Sequence, residues 1–308
     1  MDFNVQVPKI SIGFPVYNGE KFIKNRLDSI ISQSFQNFEL IIVDNASTDL
    51  TAKICEEYLK KDKRILFFKT EKNKGIRWAY ETVLFKAKGE YFIWVAADDK
   101  FSDDFLERNF QILESNKNIV VSTSKVQWYG PGASVRGYKI QPTDTISKKI
   151  YKKIRQQFQT FGTDPIKGTY EERISTFLRK ANVHSIYGLC RREELQKSWR
   201  DTYEVLWDFS VMINLVRYGE IHVIDEILMD IYTHGISNSS IIDIYRKEEL
   251  DLIEVFFPRL RFTKWFYKTY GRKLFIKNLN YFIWNNIKGP LAFFIAIFKI
   301  IKNTTKNK

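Results

Sequence analysis

Two adjacent carboxylates, Asp98 and Asp99, follow an apolar run, Tyr91-Phe92-Ile93-Trp94-Val95, across Ala96 and Ala97. A second pair, Asp103 and Asp104, stands where a helix should begin. Carboxylates beside a buried strand oppose folding unless they are paired. They are well suited to holding a hard divalent cation against a phosphate. The local alternative is that Asp98 and Asp99 are turn residues and that Ser102 or Asp103 caps the helix.

The surrounding elements decide what such a pair would face. Residues 9–14 read as a buried strand running into Pro15-Val16-Tyr17-Asn18-Gly19-Glu20, a turn and then a helix start. Phe22, Ile23, Leu27, Ile30 and Ile31 recur at helical spacing, which predicts an amphipathic helix over 20–34. Residues 38–43 form a second apolar run ending in Asp44-Asn45-Ala46-Ser47-Thr48-Asp49, where Ser47 or Thr48 can cap a helix over 49–60. A short strand is expected at 64–69, a turn at Asn73-Lys74-Gly75, a helix to Lys88 closed by Gly89, and a fourth strand at 91–95. Strands alternating with helices over short connections predict a parallel sheet covered on both faces. Ligands bind such sheets outside the carboxyl ends of the strands. Each of these four strands leads toward a polar group there: Asn18, Asp44, Asn73 and Asp98. The first turn carries no Gly-x-Gly-x-x-Gly and no Walker-type loop occurs, which argues against a dehydrogenase.

The stretches Pro15-Val16-Tyr17-Asn18, Val43-Asp44-Asn45-Ala46-Ser47-Thr48-Asp49, Asn73-Lys74-Gly75, Lys88-Gly89-Glu90-Tyr91 and Ala97-Asp98-Asp99 resemble, in order and spacing, the donor half of the inverting family-two glycosyltransferases. The resemblance implies an α/β GT-A (nucleotide-diphospho-sugar transferase) fold, with a mixed, mainly parallel sheet and helices on both faces. It also implies that Pro15, Tyr17, Asn18, Glu20, Asp44, Asn73, Gly75 and Asp98 bind a nucleotide-diphosphate sugar of UDP type. Asp98 and Asp99 would hold Mg²⁺ or Mn²⁺. The sequence departs from the family's Asp-x-Asp-Asp run at Ala96, which leaves open which of Asp98 and Asp99 binds the metal. Asn45 stands where a second Asp is common, and Glu81 where Asn is frequent.

Beyond Asp104 the pattern predicts a helix to Glu114, a strand over 119–128, an irregular basic insertion over 129–168, a helix over 170–180 and a strand over 186–190. Val211, Met212, Leu215 and Val216 mark a further helix closed by Gly219, followed by strands at 221–224 and 227–232. By resemblance to the family, Asp208 is the general base, Glu204 its substitute, and His234 a residue near the metal. On residue type alone, Asp208 can equally be a helix cap and His234 a structural histidine. Trp207 replaces a Glu common in the family.

The chain has 308 residues and a net charge of +13, and the excess is local. From Val255 to Lys308 there are twelve Lys or Arg and no Asp or Glu, interleaved with aromatics. That composition fits elements lying in a membrane interface. Packing on the catalytic domain is the plainer alternative, and nucleic acid is not expected as a partner. Cys55 and Cys190 make no disulfide framework, residues 1–9 do not read as an export signal, and no run reaches membrane-spanning length. The expected organisation is a catalytic domain over 1–240, its donor half over 1–104 and acceptor half over 105–240, then a helical tail over 241–308. The expected location is cytoplasmic, peripheral on the inner face of the plasma membrane. The expected acceptor is a saccharide or lipid-linked saccharide. The competing readings are a nucleotide-sugar-binding protein without catalysis, or a basic membrane adaptor.

Overall fold

The computed structural model describes residues 7–130, 164–180, 183–203, 206–232 and 259–287. The chain divides into two compact units, Met1–Gly235 and Ile236–Lys308.

The first unit is built on one eight-stranded sheet. Its strands are β1 (Ile10–Val16), β2 (Phe38–Asp44), β3 (Ile65–Lys69), β4 (Tyr91–Trp94), β5 (Lys100–Phe101), β6 (Ile119–Tyr129), β7 (Leu189–Arg191) and β8 (Glu220–Tyr232). Their order is β3-β2-β1-β4-β7-β6-β8-β5. β1 runs parallel to β2 and β4, and β2 parallel to β3, so four carboxyl ends share one edge. β7 then runs antiparallel to both β4 and β6, while β8 returns parallel to β6. The helices are α1 (Glu20–Ile31), α2 (Thr51–Lys61), α3 (Ile76–Lys86), α4 (Phe105–Ser115), α5 (Tyr170–Lys180), α6 (Arg192–Arg200) and α7 (Trp207–Leu215).

Sequence pattern accounts for most of these elements. β2 is apolar over Leu40–Val43 because it is buried on both faces. α1 buries Ile23, Leu27 and Ile30 on one stripe, each contributing about 1.5–3 kcal/mol. Gly75 precedes α3 with φ 87°, a backbone state that favours glycine.

Four local expectations are corrected. Neither Ser47 nor Thr48 caps α2; both bond to Asn18, and Asp49 Oδ1 instead accepts the Thr51 N–H at 3.0 Å. Asp104, rather than Ser102 or Asp103, occupies the N-cap of α4, with the Ser102 hydroxyl on its carboxylate. The expected strand over 186–190 is a 3₁₀ turn, Val183–Tyr187, followed by short β7. Gly188 lies against the Ser122 carbonyl, so the chain must pass β6 there without a side chain. The two strands expected over 221–232 are one strand, β8, with the register against β6 stepping from Ile224 to Ile227 and looping out Asp225 and Glu226. β5 was not anticipated; two residues give no periodicity to read.

In the second unit, α8 (Leu260–Lys277) is broken at Gly271 (φ 78°, ψ 173°) and is followed by a helix over 279–287, α9. No helix among the described residues is long and apolar enough to cross a membrane. Most of the insertion expected over 129–168, and the apolar run 291–301, lie outside the described residues.

Candidate active site

The edge at the carboxyl ends of β1 to β4 is assembled from loops that satisfy one another. Asn18, in the left-handed region at φ 50°, accepts the Thr48 N–H at 2.8 Å, and its own N–H donates to Ser47 Oγ at 2.9 Å. The Gly19 N–H donates to Thr51 Oγ1 at 2.8 Å. Glu20 accepts the Leu50 N–H at 2.9 Å, so its carboxylate serves the start of α2. These bonds tie the β1 loop to the β2 loop and leave the Tyr17 ring exposed beside half-buried Pro15.

Asp44 and Asn45 close β2. Asp44 is fully buried; Oδ1 accepts the Ser47 N–H at 2.9 Å, while Oδ2 has no hydrogen-bond partner. A buried carboxylate oxygen without a donor is costly, and a ligand N–H would satisfy it. Asn45 works in both directions. Its Nδ2 donates to Asn73 Oδ1 at 3.0 Å and to the Gly75 carbonyl at 3.1 Å, while its Oδ1 accepts the Lys74 N–H at 2.9 Å. Only an amide can fill both roles, which explains Asn rather than Asp at this position. Asn73 Oδ1 also accepts the Gly75 N–H at 2.8 Å, so Asn73 and Gly75 shape the loop.

Past β4, Asp98 is half-buried and Asp99 is 7 % exposed. Asp98 receives the Tyr129 hydroxyl on its main-chain oxygen, and Asp99 Oδ1 accepts the Tyr232 N–H at 3.1 Å. Burial raises the pKa of both carboxyls; the charge of Asp98 adds to this at Asp99, which reaches about 7. One countercharge offsets them. Arg26 of α1 is 2 % exposed, stacks 4.1 Å over the Phe101 ring, and has no hydrogen-bond partner on any guanidinium nitrogen. Burial lowers its pKa to about 10, opposed first by Asp99 and then by Asp98. Arg26 is absent from the motif reading, yet a signal existed: it falls on the buried stripe of α1, three residues after Ile23 and four before Ile30.

Two adjacent hard carboxylates whose ionisation is suppressed by burial fit a divalent cation. Among the described residues no group of three or more His, Cys, Asp or Glu could hold a metal. A cation at Asp98 and Asp99 would therefore be completed by phosphate oxygens and water. Ala96 adds no ligand. His234 and Glu204 lie outside the described residues.

Asp208 comes from the other side of the sheet order, in the first turn of α7, where the helix dipole favours a carboxylate. Its Oδ1 accepts the Phe209 N–H at 2.7 Å. Tyr80 and Tyr187 bring their hydroxyl oxygens to 3.4 Å from one another. Burial raises the Tyr80 pKa to about 12, with Asp99, Asp98 and Asp208 adding in that order. Tyr187 is raised well above its usual range by burial, then by Tyr80, Asp99 and Asp208. Carboxylates from distant parts of the sequence thus bear on one pair of hydroxyls. Trp207 packs 4.9 Å from Tyr80 and 5.2 Å from Trp199, extending an aromatic cluster where the family often has Glu.

Comparison with known proteins places this architecture. The sequence profile described as glycosyl transferase family 2 matches residues 11–182, more than half of the chain. An uncharacterized glycosyltransferase of Haemophilus influenzae is 31 % identical over 205 residues, covering 58 % of this chain and 82 % of that protein. The putative teichuronic acid biosynthesis glycosyltransferase TuaG of Bacillus subtilis is 36 % identical over 106 residues, 34 % of this chain and 42 % of TuaG. Among solved structures, S. aureus TarS in complex with UDP-GlcNAc aligns with TM-score 0.55 at 22 % identity, over 77 % of this chain and 64 % of that one. The mannosyltransferase PcManGT of Pyrobaculum calidifontis, in complex with GDP-Man and Mn²⁺, aligns with TM-score 0.53 at 15 % identity, over 95 % and 75 % of the two chains. The chain belongs to glycosyl transferase family 2 and has the GT-A fold of these transferases.

Proposed function

We propose that the chain transfers a sugar from a nucleotide-diphosphate donor, of UDP type, to an acceptor hydroxyl with inversion at the anomeric carbon. Asp44 accepts an N–H of the base on its unpaired oxygen, and Tyr17 lies against the base. Asp98 and Asp99 would hold Mg²⁺ or Mn²⁺, and such an ion would supply charge neutralisation for the leaving diphosphate. Asp208 takes the proton of the acceptor hydroxyl as that oxygen bonds to the anomeric carbon from the face opposite the diphosphate. The bond to the diphosphate oxygen breaks in the same displacement. Tyr80 and Tyr187 help orient the sugar and acceptor. Donor complexes of the GT-A neighbours support the substrate class. A lipid-linked saccharide in surface-polysaccharide or glycolipid assembly is the proposed acceptor, with the tail meeting the membrane.

The observation that carries this reading is the acidic lining past the parallel strand ends: buried Asp44 with one unpartnered oxygen after β2, and the adjacent pair of Asp98 and buried Asp99 after β4. The test is hydrolysis of a panel of nucleotide sugars with Mn²⁺ by the native chain and Asp98→Ala. One donor turned over, and lost in the variant, is the expected result. Metal-dependent nucleotide binding without turnover, with or without lipid-linked acceptors, would instead favour a binding protein, the reading that Ala96 and Trp207 encourage.

A further inference from the structure

The second unit carries an apolar face that its own core leaves exposed. Phe282 of α9 is 2 % exposed and is ringed by Phe266 at 4.8 Å, Phe275 at 5.1 Å and Phe262 at 6.3 Å. That aromatic cluster anchors α9 against α8, and Asn286 Nδ2 donates to Thr263 Oγ1 at 2.9 Å. Away from the anchor, Leu279, Ile283 and Ile287 recur every fourth residue, a spacing that aligns them on one helical face. They are 39 %, 52 % and 57 % exposed, with Trp284 at 46 % and Ile276 of α8 at 55 %. Arg261, Lys264, Lys268, Arg272, Lys273 and Lys277 are exposed on α8, and no acidic residue occurs from Val255 to Lys308.

We infer that this face seats the protein on an anionic lipid surface. Leu279, Ile283 and Ile287 enter the acyl boundary, Trp284 sits at headgroup level, and the bases of α8 meet the lipid phosphates. The nine described residues of α9 span about 14 Å, and their one-sided apolar face fits a helix lying in the interface plane. Charge selects lipid over a protein groove: the exposed bases of α8 are complementary to anionic headgroups, each base near the surface adding about fivefold in binding. The inference deepens the proposed lipid-linked acceptor, since it brings the enzyme to where such an acceptor resides.

The test is sedimentation of the full chain with vesicles of phosphatidylcholine alone or mixed with phosphatidylglycerol. The native chain should pellet with the anionic vesicles and be released by salt. Ile283→Asn with Ile287→Asn, both at exposed positions, should weaken binding at least tenfold while keeping the native melting profile. Lys264→Gln with Lys268→Gln and Arg272→Gln should lose the preference for anionic lipid. The Trp284 emission, isolated by difference from Trp284→Phe, should shift to the blue with vesicles. A native chain that stays in the supernatant with anionic vesicles, or an Ile variant that binds as the native does, overturns the inference. Donor hydrolysis without vesicles separates the two claims: equal rates in native and Ile variants assign the loss to the lipid seat. A chain that pellets but turns over no donor sinks the transfer chemistry and leaves the lipid seat standing.

Discussion

The two sides of the sheet present carboxylates in opposite ways. On the β1–β4 side, loops after parallel strands bond to one another through Asn18, Glu20, Asn45 and Asn73, so the proposed donor edge is held together by its own hydrogen bonds. Asp208, by contrast, stands in the first turn of α7, a helix that packs on α6 and on the turn before β7 rather than closing a parallel strand. A preorganised edge suits a substrate whose phosphates and base repeat among many reactions. A carboxylate at a helix start suits an acceptor that differs from enzyme to enzyme. Tyr80 and Tyr187 couple the sides, one hydroxyl arising from α3 and the other from the turn before β7.

That contrast can be sharpened by removing what makes the donor side self-contained. Arg26→Met keeps apolar contact with Phe101 but takes away the buried positive charge that favours ionised Asp98 and Asp99, so the acidic pair should depend more on an added cation. Mn²⁺ should raise the melting temperature of this variant more than that of the native chain, as thermal melts with and without Mn²⁺ will show. Asn45→Asp removes two donated hydrogen bonds and sets a carboxylate against Asn73 Oδ1 and the Gly75 carbonyl. A loss of about 1–3 kcal/mol in denaturant unfolding, with weakened nucleotide binding, is expected. Tyr187→Phe should have the smallest effect: deletion of one hydroxyl lowers transfer by about 2- to 10-fold while donor affinity in calorimetry stays native. An equal loss of donor affinity there would erase the distinction between the sides.

Legibility in the sequence follows the same division. The donor edge is readable because each strand run is apolar and is followed within a few residues by its polar group, as in the stretch from Ile41 to Asn45. Arg26 escaped because a charge on an amphipathic helix is read as solvated unless its place on the stripe is checked. Tyr80 and Tyr187 meet only in three dimensions, and no spacing announces a contact between separate segments. The residues over 186–190 look like a strand because Ile and Tyr favour one, but a 3₁₀ turn comes first and the chain then passes close to β6 at Gly188. In the tail, composition pointed to an interface without saying which face; the Phe282 anchor separates the buried side of α9 from the exposed one.

The division of labour between the two carboxylate sites is tested most directly by Asp208→Asn. Donor binding by calorimetry with Mn²⁺ and transfer rate are measured on the same preparation. The account predicts native donor affinity with transfer slowed by about 10²- to 10⁴-fold, the contribution of a general base. Native transfer by Asp208→Asn, or loss of donor binding in step with loss of rate, would contradict it.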